Sequence, residues 1–199
     1  MKKLDFIEIG TSDFRTLAHS DLVGICVEPV LEYIDNLPNR KGLTKINAAI
    51  SDTNGTGLVY YCDPNVIEAQ QLPQWLKGCN SINNPHPTVE KMFSHIPELV
   101  KTHEVDFVTI DKIFDGIASI DFLKIDTEGH DCHILEFMFG LENIPEIRKI
   151  QFESNSLSLT KDVNRIKRIA RRNGYQIFEI EERGNKDTIL EKPWTDFYN

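Results

Sequence analysis

The sequence predicts an α/β protein with a doubly wound, mostly parallel sheet, an irregular insertion and an antiparallel edge strand. Three observations carry that expectation. Short apolar runs of strand length alternate with stretches of helical period. A glycine turn, Gly10, follows the first apolar run. Several strands then end in acids, at Glu28, Asp111, Asp126 and Glu153. Open α/β sheets hold their ligands at the carboxyl ends of their strands, so these acids mark one edge as the working edge.

Leu4–Ile9 reads as the first strand, with a helix expected to enter near Ser12 or Asp13. Val23–Val27 is the second strand, and Val30, Leu31, Ile34 and Leu37 give a short amphipathic helix closed by Pro38. A third strand is expected over 44–50. Asn54-Gly55-Thr56-Gly57 before Leu58–Tyr61 predicts a hairpin at a sheet edge. From Asp63 to about Glu104 no period is sustained, and prolines at 64, 73, 85, 87 and 97 punctuate the stretch. A long irregular insertion in a compact domain is usually functional or disordered, and the residue types here favour function. Phe107–Ile110 is the next strand. Ile120–Ile125 follows, apolar except for Asp121 and Lys124, as in a central strand buried on both faces. Ile134, Leu135, Met138 and Leu141 then mark a helix, Ile147–Phe152 a strand and Leu159–Arg172 a helix. Tyr175–Ile180 and Thr188–Leu190 close the sheet, the last antiparallel after a turn at Arg183-Gly184-Asn185. Residues 1–199 are expected to form one domain.

The net charge of −9 argues against a nucleic-acid partner, because affinity for nucleic acid comes mostly from cations neutralising phosphates. Basic residues gather between Lys161 and Arg172, which reads as the solvated face of a helix. Cys26, Cys62, Cys79 and Cys132 make no C-x-x-C and are expected to be reduced. Lys2 and Lys3 are followed within three residues by Asp5 rather than by an apolar leader, and no apolar run reaches membrane-spanning length, so a cytoplasmic protein without membrane insertion is expected.

The stretch Ile120–Asp131 concentrates the chemistry. Lys124, Asp126 and Glu128 are spaced by two, which places them on one face if the strand continues. Asp126 and Thr127 also suit helix capping, which accounts for one of them. Glu28 lies 18 residues after Gly10, about where nucleotide-binding α/β folds put a carboxylate for the ribose hydroxyls. G-x-G-x-x-G is absent, because Ser12 and Arg15 stand at its later glycine positions. Trp75, Asn80, Ser81, Asn83, Asn84 and His86 in the insertion suit a wall for a hydroxylated acceptor. Trp75 equally suits packing of the insertion onto the core. Polar residues at another strand end, Glu153 and Asn155, join the same edge.

Four segments in order, Phe6-Ile7-Glu8-Ile9-Gly10, Val27-Glu28-Pro29, Asn47-Ala48-Ala49-Ile50-Ser51 and Asp121-Phe122-Leu123-Lys124-Ile125-Asp126-Thr127-Glu128-Gly129, make the chain resemble the FkbM-type S-adenosylmethionine-dependent methyltransferases over most of residues 4–155. The family usually has a second glycine four residues after the first, where this chain has Phe14. The resemblance implies a Rossmann-like class I methyltransferase fold and S-adenosylmethionine as cofactor. It implies that Glu8, Gly10, Thr11, Ser12 and Asp13 hold the methionine end, Glu28 with Pro29 the ribose, and Ala48, Ala49, Ile50 and Ser51 the adenine, with Asp126 near the sulfonium. It further implies methyl transfer; the polar insertion favours a hydroxyl of a sugar or glycan as acceptor, with Trp75, Asn80, Ser81, His86, Glu128, Glu153 and Asn155 on the acceptor side. Asp126 is the first candidate base and His130 the second, with Lys124 stabilising the emerging alkoxide. Asp126, Glu128 and Glu153 are hard oxygen ligands of the kind magnesium prefers, and His130 with His133 could serve a softer ion. Acid clusters also serve as plain cofactor ligands, so no metal ligand is assigned. A small-molecule acceptor and an inactive glycan-binding module are the alternatives.

Overall fold

A computed structural model describes residues 1–14, 16–182 and 185–193. In chain order its elements are β1 (Lys2–Ile9), β2 (Gly24–Val27), α1 (Leu31–Asn36), β3 (Leu43–Ile46), β4 (Ala49–Ser51) and β5 (Gly55–Cys62). The insertion carries α2 (Pro64–Ala69) and α3 (Pro87–Phe93) before β6 (Val100–Thr109) and α4 (Ile110–Ile113). The second half contains β7 (Ile117–Ile125), α5 (Asp131–Gly140), β8 (Glu146–Glu153), α6 (Thr160–Arg172), β9 (Gln176–Glu182) and β10 (Asn185–Glu191).

A seven-stranded sheet runs β3-β2-β1-β7-β8-β10-β9. The first five strands are mutually parallel, and β10 lies antiparallel between β8 and β9. This is the mixed, mostly parallel sheet of a doubly wound α/β fold. The antiparallel strand stands one place in from the edge, and β9 is the outer strand. Arg183 and Gly184 of the expected turn lie outside the described residues.

β7 is central, as its apolar run requires. Ile120, Leu123 and Ile125 pack with Ile7 and Ile9 of β1 and with Ile147, Ile150 and Phe152 of β8, all fully or almost fully buried. Ile134, Leu135 and Met138 of α5 and Val163, Ile166 and Ala170 of α6 join the same core. Each large apolar side chain so buried contributes about 1.5–3 kcal/mol. Lys161, Arg168, Arg171 and Arg172 of α6 are exposed, which is the solvated face its charge run suggests. The four cysteines are free and buried. Among the described residues no helix is long and apolar enough to cross a membrane.

Four expectations need correction. No α-helix follows Gly10 among the described residues; the segment before β2 holds only a 3-10 turn at Leu17–His19. Its backbone bonds to side chains instead, with Leu17 N–H donating to Glu8 and Ser12 N–H to Glu28. The third strand is two strands in different sheets, broken at Asn47, whose amide donates to the carbonyls of Glu28 and Pro29. The hairpin is absent, because β6 lies between β4 and β5 in a separate three-stranded sheet. The insertion is more regular than its prolines suggest: Pro64 and Pro87 open α2 and α3, capped by the side chains of Asp63 and His86. A proline in the first turn loses no helical hydrogen bond.

Candidate active site

Gly10 is where the two halves of the sheet close on each other. Its N–H donates to Val27 O at 2.9 Å, and Asp126 N–H donates to Ile9 O at 2.9 Å. The residue has φ +77°, and a Cβ added to it would stand 1.8 Å from the carbonyl oxygen of Asp126. Only glycine supplies both the conformation and the clearance.

Beside this crossing, Glu8 of β1 faces Lys124 of β7. The Glu8 carboxylate accepts from Lys124 Nζ at 2.9 Å, Thr16 Oγ1 at 2.5 Å and Leu17 N–H at 2.8 Å. Asp126 is a second partner of the ammonium, at 3.5 Å. Burial works against the charged lysine, but the carboxylates of Asp126 and Glu8 together outweigh it and raise its pKa.

Glu28 ends β2 wholly buried. It accepts from Ser12 N–H at 2.7 Å and Val30 N–H at 3.1 Å. Ser12 has φ +51°, a left-handed conformation that is uncommon outside glycine. Burial raises the Glu28 pKa from 4.5 to about 7, against the lowering effect of those two N–H groups. Glu28, Pro29, Gly10–Ser12 and Ala48–Ile50 line one side of a cavity of about 800 Å³ at the carboxyl edge of the sheet.

The insertion supplies the facing wall through Trp75, Asn80, Ser81 and His86. Trp75 also packs on Phe93, ring centroids 6.1 Å apart. Lys77 pairs with Asp13 at 2.9 Å, which fastens the insertion to the Gly10 loop. His86 Nδ1 accepts from Thr88 N–H, so Nε2 carries the proton of the neutral ring, and Nε2 lies 3.3 Å from Glu128 Oε2. Burial lowers the His86 pKa, which favours the neutral ring. Glu128 itself sits at φ +52°.

At the floor, Asp126, Glu128 and Glu153 bring carboxylate oxygens within 4.8 Å of one another. Burial, then Asp126 and Asp131, push the Glu128 pKa well above the ordinary carboxylate range, and burial with Glu128 and Asp126 raises that of Glu153. Asp131, at the start of α5, holds the floor together. It is fully buried and accepts from Thr127 N–H at 2.9 Å, Thr127 Oγ1 at 2.5 Å and Glu153 N–H at 2.8 Å. Burial and Asp126 raise its pKa to about 7.

Most of the residues singled out from the sequence thus converge on one cavity. Glu8, Asp13, Ser51 and His130 do not line it. Glu8 works through Lys124, and Asp13 through Lys77. His130 is buried, stacked on His133 at 5.0 Å, with Nε2 3.4 Å from Ser51 Oγ, and burial lowers its pKa to about 4. Its ring fits structural packing rather than proton transfer in the cavity. Sequence reasoning misses Asp131, Gln151 and Asp187. Gln151 shares a strand face with Glu153, two residues on, and donates to Asp187 Oδ2 at 2.6 Å on the cavity wall. Asp131 reads in the sequence as an ordinary helix start.

Several buried polar atoms of the lining have no protein partner among the described residues: Thr11 Oγ1, Ser12 Oγ, Asn80 Oδ1 and Glu153 Oε2. Such groups are costly unless a ligand or water satisfies them. The cavity is therefore built for a polar occupant. Comparison with curated proteins returns no match. A family model described as the methyltransferase FkbM domain matches residues 8–177, from the Glu8 that orients Lys124 to the outer strand β9. The chain belongs to the FkbM methyltransferase family.

Proposed function

We propose that the protein is an S-adenosylmethionine-dependent O-methyltransferase acting on a hydroxyl of a sugar or glycan. The observation that carries this reading is the two-sided cavity, with a nucleoside-like cradle on the sheet side and a polar wall on the insertion side. Glu28 has lone pairs left for two ribose hydroxyls, and Asn47 fixes the chain between it and Ala48–Ile50, small residues that leave room for a flat ring. The unpartnered hydroxyls of Thr11 and Ser12 suit the amino-acid end of the cofactor. When bound, the cofactor supplies an electrophilic methyl group on a sulfonium sulfur. The chain supplies position and charge. Alignment of acceptor with methyl is the larger part of such catalysis, and Asn80, Ser81 and the His86–Glu128 pair suit gripping a polyol. Asp126 stays the first candidate base, its side chain 39% exposed toward the cavity. Lys124 keeps one N–H beyond those given to Glu8 and Asp126, and suits a developing alkoxide.

Calorimetric titration with S-adenosylhomocysteine tests the reading, with Glu28→Ala as control. Micromolar binding that the substitution weakens supports it. A folded protein that binds none removes the enzyme reading and turns attention to glycan binding.

A further inference from the structure

We propose that Asp126, Glu128 and Glu153 form a site for a hard divalent cation. Three oxygens no more than 4.8 Å apart share a point within about 2.8 Å of all of them, by the geometry of a triangle, so closure by a few tenths of an ångström reaches the 2.3–2.6 Å typical of calcium, and slightly more reaches magnesium or manganese. The donors are all oxygens, which selects hard ions over zinc or copper.

A second observation points to an occupant. Glu153 is 7% exposed, and its Oε2 is buried with no hydrogen-bond partner among the described residues. No described cation pairs with this carboxylate. Lys124 pairs with Glu8 and Asp126, and the His86 ring lies 3.3 Å from Glu128. A buried carboxylate oxygen facing two others without a cation is unfavourable by desolvation and repulsion together. A divalent ion removes both costs.

The surroundings suit such an ion. Asp131 holds Thr127 N–H and Glu153 N–H on its two oxygens, which fixes the spacing of the strand ends that carry the ligands. Three protein ligands leave coordination positions open toward the cavity, where the unpartnered Asn80 Oδ1 is one more hard donor on the lining. His130 and His133 take no part, their rings being stacked away from the cavity.

The test is uptake of manganese by the full chain after chelator treatment and without cofactor, read by loss of the free-ion signal in electron paramagnetic resonance. One ion per chain is expected, bound at submillimolar concentration. Glu153→Gln is expected to weaken uptake at least about tenfold, while Asp121→Asn, on the same strand as Asp126's approach but beside Lys3, leaves it unchanged. Thermal melts of both variants report folding. If Glu153→Gln melts early, Glu128→Gln, whose carboxylate is less buried, takes its place with the same expected loss. No uptake at millimolar manganese, or equal uptake by wild type and both glutamine variants, overturns the proposal. S-adenosylhomocysteine binding without manganese uptake overturns the cation site alone, and the converse overturns the cofactor reading alone.

Discussion

Glu8 and Lys124 are register partners on adjacent parallel strands, and their charged groups meet at 2.9 Å with the carboxylate 1% and the ammonium 22% exposed. Removing one member of such a pair leaves the other charge stranded, which costs about 3–5 kcal/mol. Glu8 keeps Thr16 and Leu17 as donors, so the lower end applies. Lys124→Met is expected to lower the unfolding free energy by about 3 kcal/mol in urea titration. Adding Glu8→Gln is expected to restore much of it. A single variant as stable as wild type would show that the pair contributes nothing.

Gly10→Ala is expected to fail more severely. The substitution asks alanine for φ +77° and sets its Cβ 1.8 Å from the Asp126 carbonyl. The conformation alone costs roughly 1–2 kcal/mol, and the overlap can be relieved only by parting β1 from β7. Loss of soluble expression, or a melting temperature lowered by more than about 10 °C, is the expected result. Gly140→Ala, with nothing within 4 Å of the added carbon, is the matched control.

The Glu28 carboxyl sets a pH dependence. Its pKa is raised from 4.5 to about 7, so between those values the folded state holds a proton the unfolded chain has lost. Its contribution to stability is complete below 4.5 and is lost as pH rises toward 7. Ligand binding runs the other way, because ribose hydroxyls donate to the ionised form. S-adenosylhomocysteine affinity is expected to rise from pH 6 to pH 8, with a proton released on binding, measurable by calorimetry in buffers of different ionisation enthalpy. Glu28→Gln should flatten the profile. An affinity that is flat across this range in the wild type would remove Glu28 from the ribose.

The central sheet was legible because β1, β7 and β8 are buried on both faces, and a strand so buried must carry a near-continuous apolar run such as Ile120–Ile125. The acids at strand ends were legible for the same reason: a charged residue directly after a buried strand must sit at its edge. What failed was local. Asn47 breaks a strand through its side chain, and Glu8 and Glu28 capture the backbone of 12–17 that would otherwise start a helix. These bonds join residues 9 to 19 apart and have no periodic signature. Pro64 and Pro87 looked like interruptions, although each opens a helix. Within the site, Asp126, Glu128 and Glu153 came from strand position, whereas Asp131 could not, because its two oxygens reach partners on both sides of a helix in sequence. His130 is close to Glu128 in the motif, yet its ring stacks on His133 and does not line the cavity.

The placement of β1 between β2 and β7 also governs how the molecule comes into being. Glu8 and Lys124 are 116 positions apart, so one side of β1 stays open until the whole intervening segment and β7 have been synthesised. Contacts of such separation form slowly, and an open apolar strand invites pairing with other chains in the meantime. The Gly10 loop is therefore made well before the strand that completes it. The cavity is complete only once β7 is in place, and products truncated before Ile125 are expected to aggregate.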